Sequence, residues 1–381
     1  MSSDPTAVYT EDDLNRLTPE YIRQYPGLVI GNTDEAGLAH LLDDLLTATL
    51  PVCRLVEVAL HADGSCSVTN DADGMPCDPE PTSGRSRLEL SFTTWPTFGR
   101  NQSGGMAVAA LSEWCEVETH HGGRHHRIGF ARGEIAKPLE HLGPSDGRTG
   151  TVISFKPDAE IFGDTTFDLG RILHRLCELA FLNAGVRFTF TDDRTGKTDT
   201  FHFPDGLAAY AKYLNTGRQT LHEPIVIRHT EGEVRVEAAL QFNAASESIV
   251  MGYMNGEYVR HGGTHETGLR RGLMLAFKQF AGELGLFPAG MKFKSEDFRE
   301  GLAAVLSMQH PEPAWERSTR SSIGNPELDG IVSRAVRWGV GEFLDRNPAA
   351  GRELCEHIVR GVRVRIATED ARNRARTERN G

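Results

Sequence analysis

At 381 residues and a formal net charge of −12, the chain is long enough for two domains that each bury a core, and no apolar run approaches the roughly 18 residues of a membrane span. Six cysteines without a Cys-x-x-Cys pair favour free thiols in a reducing compartment, and the polar start Met1-Ser2-Ser3-Asp4 is no secretion signal, so a cytoplasmic location without membrane contact is expected. Charge is uneven: residues 360–381 hold seven arginines against three acids, a local +4 that leaves −16 for the rest.

In chain order, Leu38, Leu41, Leu42, Leu45 and Leu46 recur at helical spacing. This predicts an amphipathic helix with Asp43 and Asp44 off its apolar stripe and Pro51 as its stop. Val56 to Leu60 and Ser67 to Thr69 flank Asp63-Gly64, a tight hairpin in which both central residues are expected at positive φ. The polar turn Asn70-Asp71-Ala72-Asp73-Gly74-Met75-Pro76 follows. Thr93 to Gln102, carrying Trp95, Pro96 and Phe98, leads to Ser103-Gly104-Gly105-Met106 and a second helix. His120-His121-Gly122-Gly123-Arg124-His125-His126 reads as a hairpin tip, whose four imidazoles could hold a transition metal, although no carboxylate or cysteine has suitable local spacing. Beyond a seam near Tyr213 to Gly217, Val234 to Leu240 and Ser248 to Tyr253 read as strands and Glu266 to Leu284 as a helix, giving domains 1–217 and 218–381. The basic end reads as a solvated, partly frayed helix, or as a weak contact to DNA phosphates.

Read together, these segments resemble the ATPase half of DNA gyrase B and its topoisomerase IV counterpart, within the gyrase/Hsp90/histidine-kinase/MutL superfamily. Pro26-Gly27-Leu28-Val29-Ile30-Gly31-Asn32-Thr33, Arg148-Thr149-Gly150-Thr151, Phe181 to Val186, Gly262-Gly263-Thr264-His265 and Arg299 to Val305 carry the likeness in family order. The resemblance implies an α+β fold: an ATPase-type sandwich with a mixed sheet backed by helices, then a transducer α+β domain with a long C-terminal helix. It also implies a stand-alone paralogue, since the sequence stops where a gyrase B chain would begin its cleavage module.

In that family a helix glutamate is the general base, and an asparagine one turn later holds Mg²⁺. Those positions carry Asp44, one methylene shorter, and Ala48, which ligates nothing, so no metal is expected. Asn70 stands where an aspartate accepts the adenine amino proton, and one carbonyl acceptor is expected to survive there. Asp73, Gly74, Met75 and Pro76 complete the base-reading turn, with Ala72 and Asp73 replacing a glycine and an arginine. Ser103, Gly104 and Gly105 retain part of a shortened glycine cradle, and Thr151 retains the Thr-Gly-Thr strand. Arg320 and Ser318 replace the lysine and glutamine of the transducer loop, and His121 the arginine that contacts coumarin-type inhibitors. Taken alone, Asp44 reads equally as an exposed helix acid, and Arg320 reads more readily as an exposed loop arginine.

These replacements imply weak or lost binding of ATP and Mg²⁺ and no other cofactor. The leading expectation is a binding or regulatory module, with a homodimer through an arm at Tyr9 to Leu17, or weak contact with DNA or a topoisomerase, as its partners. Two alternatives are an enzyme that has reused the pocket for other small-molecule chemistry through Asp44, Asp73, Asn70 and Arg320, and a slow topoisomerase-type ATPase with Asp44 as base. Trp95, Phe98 and Met106 are the expected filling of a collapsed pocket, which would leave Asp44 and Asp73 beside an apolar wall.

Overall fold

The computed structural model describes residues 17–49, 53–94, 104–316 and 321–380, with 49 and 373–380 as backbone only. It divides into two compact units, Met1–Pro204 and Asp205–Gly381.

The first unit contains α1 (Pro19–Gln24), α2 (Glu35–Thr49), β1 (Leu55–Leu60), β2 (Cys66–Asn70), α3 (Arg87–Thr93) and α4 (Gly104–Leu111). It continues with β3 (Ser112–His121), β4 (Arg124–Ala131), β5 (Glu134–Pro144), β6 (Gly150–Pro157), α5 (Leu169–Leu182), β7 (Arg187–Asp192) and β8 (Lys197–His202). The eight strands form one sheet in the order β5-β4-β3-β6-β2-β1-β7-β8. Only β1 and β7 run parallel, which makes the sheet mixed.

Sequence explains the placement of α2. The Asp34 carboxylate accepts from the backbone N–H groups of Ala36 and Gly37 at 2.9 and 3.3 Å, capping the helix start. The five leucines of the stripe are then buried against the sheet core formed by residues such as Val56, Val58 and Val68. The β1–β2 hairpin closes differently from the expectation. Only Gly64 has positive φ (83°), while Gly64 N–H bonds His61 O at 3.0 Å and His61 N–H bonds Ser65 O at 2.8 Å. A three-residue loop with glycine in the left-handed position meets the same need with one strained residue instead of two. The histidine-rich hairpin forms as expected, with Gly122 and Gly123 both at positive φ between β3 and β4.

The second unit contains α6 (Leu207–Leu214), β9 (Ile225–Glu231), β10 (Val234–Phe242), β11 (Ile249–Met254), β12 (Glu257–Tyr258), α7 (Thr264–Leu284), β13 (Leu302–Gln309), α8 (Pro326–Arg346) and α9 (Pro348–Asn380). Its sheet runs β12-β11-β13-β10-β9, with β11 and β13 parallel. α7 and α8 meet closely, because a Cβ on Gly268 or Gly272 would press on Asp329 O or the Val336 side chain.

Two boundaries differ from the sequence expectation. The seam falls before α6 rather than at 213–217, because α6 belongs to the second sheet: the Tyr210 and Tyr253 hydroxyls bond at 2.8 Å, and the Asn215 amide nitrogen reaches Gln241 Oε1 at 3.0 Å. The basic terminal helix is docked rather than solvated through its first half. Leu354, Cys355, Ile358, Val359 and Val362 are buried, and Arg365 grips Asp297 with two bonds of 2.7 and 3.0 Å. Arg360, Arg363 and Arg372 remain exposed. No helix among the described residues is long and apolar enough to cross a membrane.

Candidate functional site

Two clusters in the first unit gather the site residues that sequence singled out. One lies where β2, β3 and β6 run side by side. Asn70 pairs with Thr151 in the β2–β6 register, and Thr151 pairs with Thr119 in the β6–β3 register. Past Asn70 the chain turns back over this end of the sheet. Gly74, at φ 78°, lies so close to the His120 carbonyl that no side chain fits, and Gly150, at φ 120°, lies as close to Asn70 O.

Thr119 fastens the turn. Its hydroxyl accepts from Met75 N–H at 2.7 Å and has Met75 O, Gly150 O and Thr151 Oγ1 at 3.3, 3.5 and 3.4 Å as acceptors for its own proton. Sequence reasoning passed over this residue, although its signal was present: Thr119 stands at alternate spacing with Cys115 and Val117, which puts a polar side chain on the core face of β3, where it is fully buried. His121 adds a second fastening, donating from Nδ1 to Asp73 O at 2.9 Å.

The side chains of the turn depart from expectation at one position. Asn70 Oδ1 accepts from its own turn, from Ala72 N–H at 3.1 Å, which occupies one of its two lone pairs. Asp73 is exposed to solvent instead of lying beside an apolar wall. Met75 packs against the core, and Pro76 is half-buried beside it.

The second cluster joins α2 to α4. Gly104 and Gly105 form the first residues of α4, and a Cβ on Gly104 would press on the backbone and Cβ of Asp44 at about 3 Å. A Cβ on Gly105 would press on Ser91 O. The Asp44 carboxylate is 21% exposed and lies 3.8 Å from His40 Nε2, one turn back on α2. The preceding Asp43 is held by Arg175 of α5 through bonds of 2.5 and 3.1 Å, which fixes the rotation of α2 about its axis. Ala48, one turn beyond Asp44, is exposed and carries only a methyl group. Met106 is fully buried in the core.

Ser103, Trp95, Phe98, Ser318, Arg320 and the arm residues 9–16 lie outside the described residues. Among those described, no group of three or more His, Cys, Asp or Glu side chains is placed to hold a metal. The histidines pair as rings instead: His120 stacks on His125 at 4.1 Å and His126 lies 4.9 Å from His141. Nor do the residues fit the Mg²⁺ that the resemblance implies. Mg²⁺ needs closely placed oxygen ligands, and the position one turn past Asp44 offers none.

A family model described as DNA gyrase B matches residues 206–374. The DNA gyrase B protein of Thermotoga maritima is 35% identical over 382 residues, covering 94% of this chain and 60% of the relative. Its Thermus thermophilus counterpart is 34% identical, covering 99% and 62%. The chain thus spans about three fifths of the length of these relatives. Among solved structures, the 43K ATPase domain of Thermus thermophilus gyrase B, in complex with an aminocoumarin, superimposes with a TM-score of 0.84 at 35% identity, covering 93% of this chain and 97% of that one. The topoisomerase IV ATP-binding domain of Francisella tularensis gives 0.79 at 25% identity, covering 92% and 98%.

Proposed function

Given that this chain belongs to the DNA gyrase B family, we propose that it is a gyrase-B-like ATPase region that has lost ATP hydrolysis and works as a binding or regulatory module. The observation that carries this reading is Ala48. It stands on α2 one turn past Asp44, at the position from which the metal ligand would act, and provides no oxygen. Without Mg²⁺ there, the charge that develops on a transferred phosphoryl group has lost its main stabiliser. Two further features support the reading. The first turn of α4 sits directly against Asp44, and Asn70 Oδ1 spends one of its two lone pairs on Ala72 N–H, which weakens the acceptor left for an adenine amino group. His121 is held on Asp73 O, so it presents no guanidinium to an aminocoumarin, and such a compound is expected to bind weakly.

The test is steady-state ATP hydrolysis by the purified chain with Mg²⁺, beside Asp44→Ala. Both should turn over at background. Hydrolysis by the parent chain that vanishes in Asp44→Ala would overturn the reading. Light scattering provides an independent check, since the oligomeric state, whatever it is, should not change when ATP is added.

A further inference from the structure

Asn70 is 6% exposed, and the direction of its carboxamide is not ambiguous. A backbone N–H can only donate, so the atom facing Ala72 N–H at 3.1 Å must be the carbonyl oxygen. The other end of the group is therefore the NH₂. It carries two donor hydrogens and has no hydrogen-bond partner among the described residues. This NH₂ is not closed off from solvent, so an acceptor from outside can reach it. Its nearest register neighbour, Thr151, is also buried and shares its hydroxyl with Thr119. A hydroxyl both donates and accepts, so it adapts to whatever ligand the fixed donor selects.

Resting on the reading of this site as a nucleobase-type pocket that binds without turnover, we propose that Asn70 selects a heterocycle presenting a carbonyl oxygen, of the hypoxanthine or guanine type, where adenine presents an amino group. The chemistry follows from the free end of one side chain. An aspartate in this place would give one oxygen to Ala72 N–H and keep a second oxygen as acceptor for an amino group. Asparagine gives the same oxygen to Ala72 and presents NH₂ in place of the second. The local fold is unchanged and the polarity offered to the ligand is inverted. A site that hydrogen-bonds its ligand rejects the mismatched analogue strongly, because donor would then face donor in a desolvated setting. With no metal ligand at residue 48, the base rather than a phosphate chain dominates recognition, so uncharged ribosides are the appropriate probes.

Inosine and adenosine differ at the discriminating position in carbonyl against amino. Titrated into the full chain by calorimetry, inosine should bind at least about tenfold more tightly than adenosine. Asn70→Asp retains the oxygen for Ala72 N–H, so it should fold, and it should reverse the order. A second variant, Thr151→Val, should weaken both ribosides without reversing them. Adenosine bound as tightly as inosine by the parent chain, an unchanged order in Asn70→Asp, or no binding of either riboside would each overturn the proposal. If Asn70→Asp fails to unfold cooperatively, the parent ratio and Thr151→Val still decide. ATP hydrolysis measured on the same samples keeps the two readings apart. Turnover lost in Asp44→Ala sinks the non-hydrolytic reading, whereas the inosine-to-adenosine ratio bears on base selection alone.

Discussion

In the first unit, Gly74 and Gly150 let the turn after β2 lie directly on the backbone of its neighbours; in the second, Gly263 does the same for the segment before α7, pressed on Ile323 O. Both junctions use positive φ, at 78°, 120° and 151°, and both exclude any side chain. They treat their polar groups in opposite ways. At the first, Thr119 satisfies Met75 N–H and Ala72 N–H is taken up by Asn70. At the second, His265 is fully buried against Gly252, and neither ring nitrogen has a hydrogen-bond partner among the described residues. The lesson is that close backbone seating can be preserved while the chemistry on top of it is free to change. One junction has become a fixed platform for a displayed donor, and the other holds a neutral imidazole that resists protonation.

The largest effect should come from the seats themselves. Gly150→Ala and Gly263→Ala each drive a Cβ into a carbonyl oxygen at a backbone conformation that alanine resists, and each should lower stability by roughly 4 kcal/mol in denaturant titrations. A loss under about 1 kcal/mol at either site would show that the seat can shift, and the parallel between the junctions would fail.

The next effect separates them by pH. Burial pushes the His265 imidazole down to about 4, and its place in the first turn of α7 works in the same direction. Its folded value is depressed, so its contribution is fully present above the unfolded value near 6.5 and is lost as pH falls from there towards 4. At about 1.4 kcal/mol per unit, this is a loss of roughly 3 kcal/mol across that window. His222 adds to the same trend, since burial lowers it and its Nε2 must stay unprotonated to accept from Phe242 N–H. His265→Leu should flatten the pH dependence of the denaturation midpoint while leaving the smaller slope due to His222. Equal slopes in parent and variant would refute this account.

Thr119→Val tests the satisfied junction. Removing the hydroxyl leaves Met75 N–H without its partner and should cost about 2 kcal/mol. Amide exchange at Met75 should accelerate more than at the β3 amides around it, and uniform acceleration would show that the fastening is not local. Arg175→Ala should have the smallest effect, about 1 kcal/mol, because the pair with Asp43 is partly exposed and screened. A change in the environment of Asp44 seen by NMR, with little loss of stability, would confirm that Arg175 sets the rotation of α2.

Legibility in the sequence followed the range of the interactions. The stripe of leucines in α2 and the two hairpins were readable because periodicity and turn glycines act within a few residues, whereas the long C-terminal helix α9 was expected from the family resemblance. The docking of α9 was misread, because the composition of residues 360–381 shows its charge, while Asp297, which pairs with Arg365, is far away in sequence. The seam was misplaced for the same reason: α6 belongs to the second unit through Tyr253 and Gln241, which no local pattern reveals.

At the candidate site the division is equally sharp. Sequence by itself determined that residue 48 has no oxygen, that residue 44 has a short carboxylate and that residue 70 has a carboxamide, since these are properties of the side chains wherever they lie. Only the tertiary structure decided which end of that carboxamide is free, that Thr119 clamps a turn 44 residues away, and that Asp73 faces solvent. The physical reason is that a side chain's inventory of donors and acceptors is fixed by its chemistry, but which of them is already spent depends on the partners that folding brings within hydrogen-bond distance.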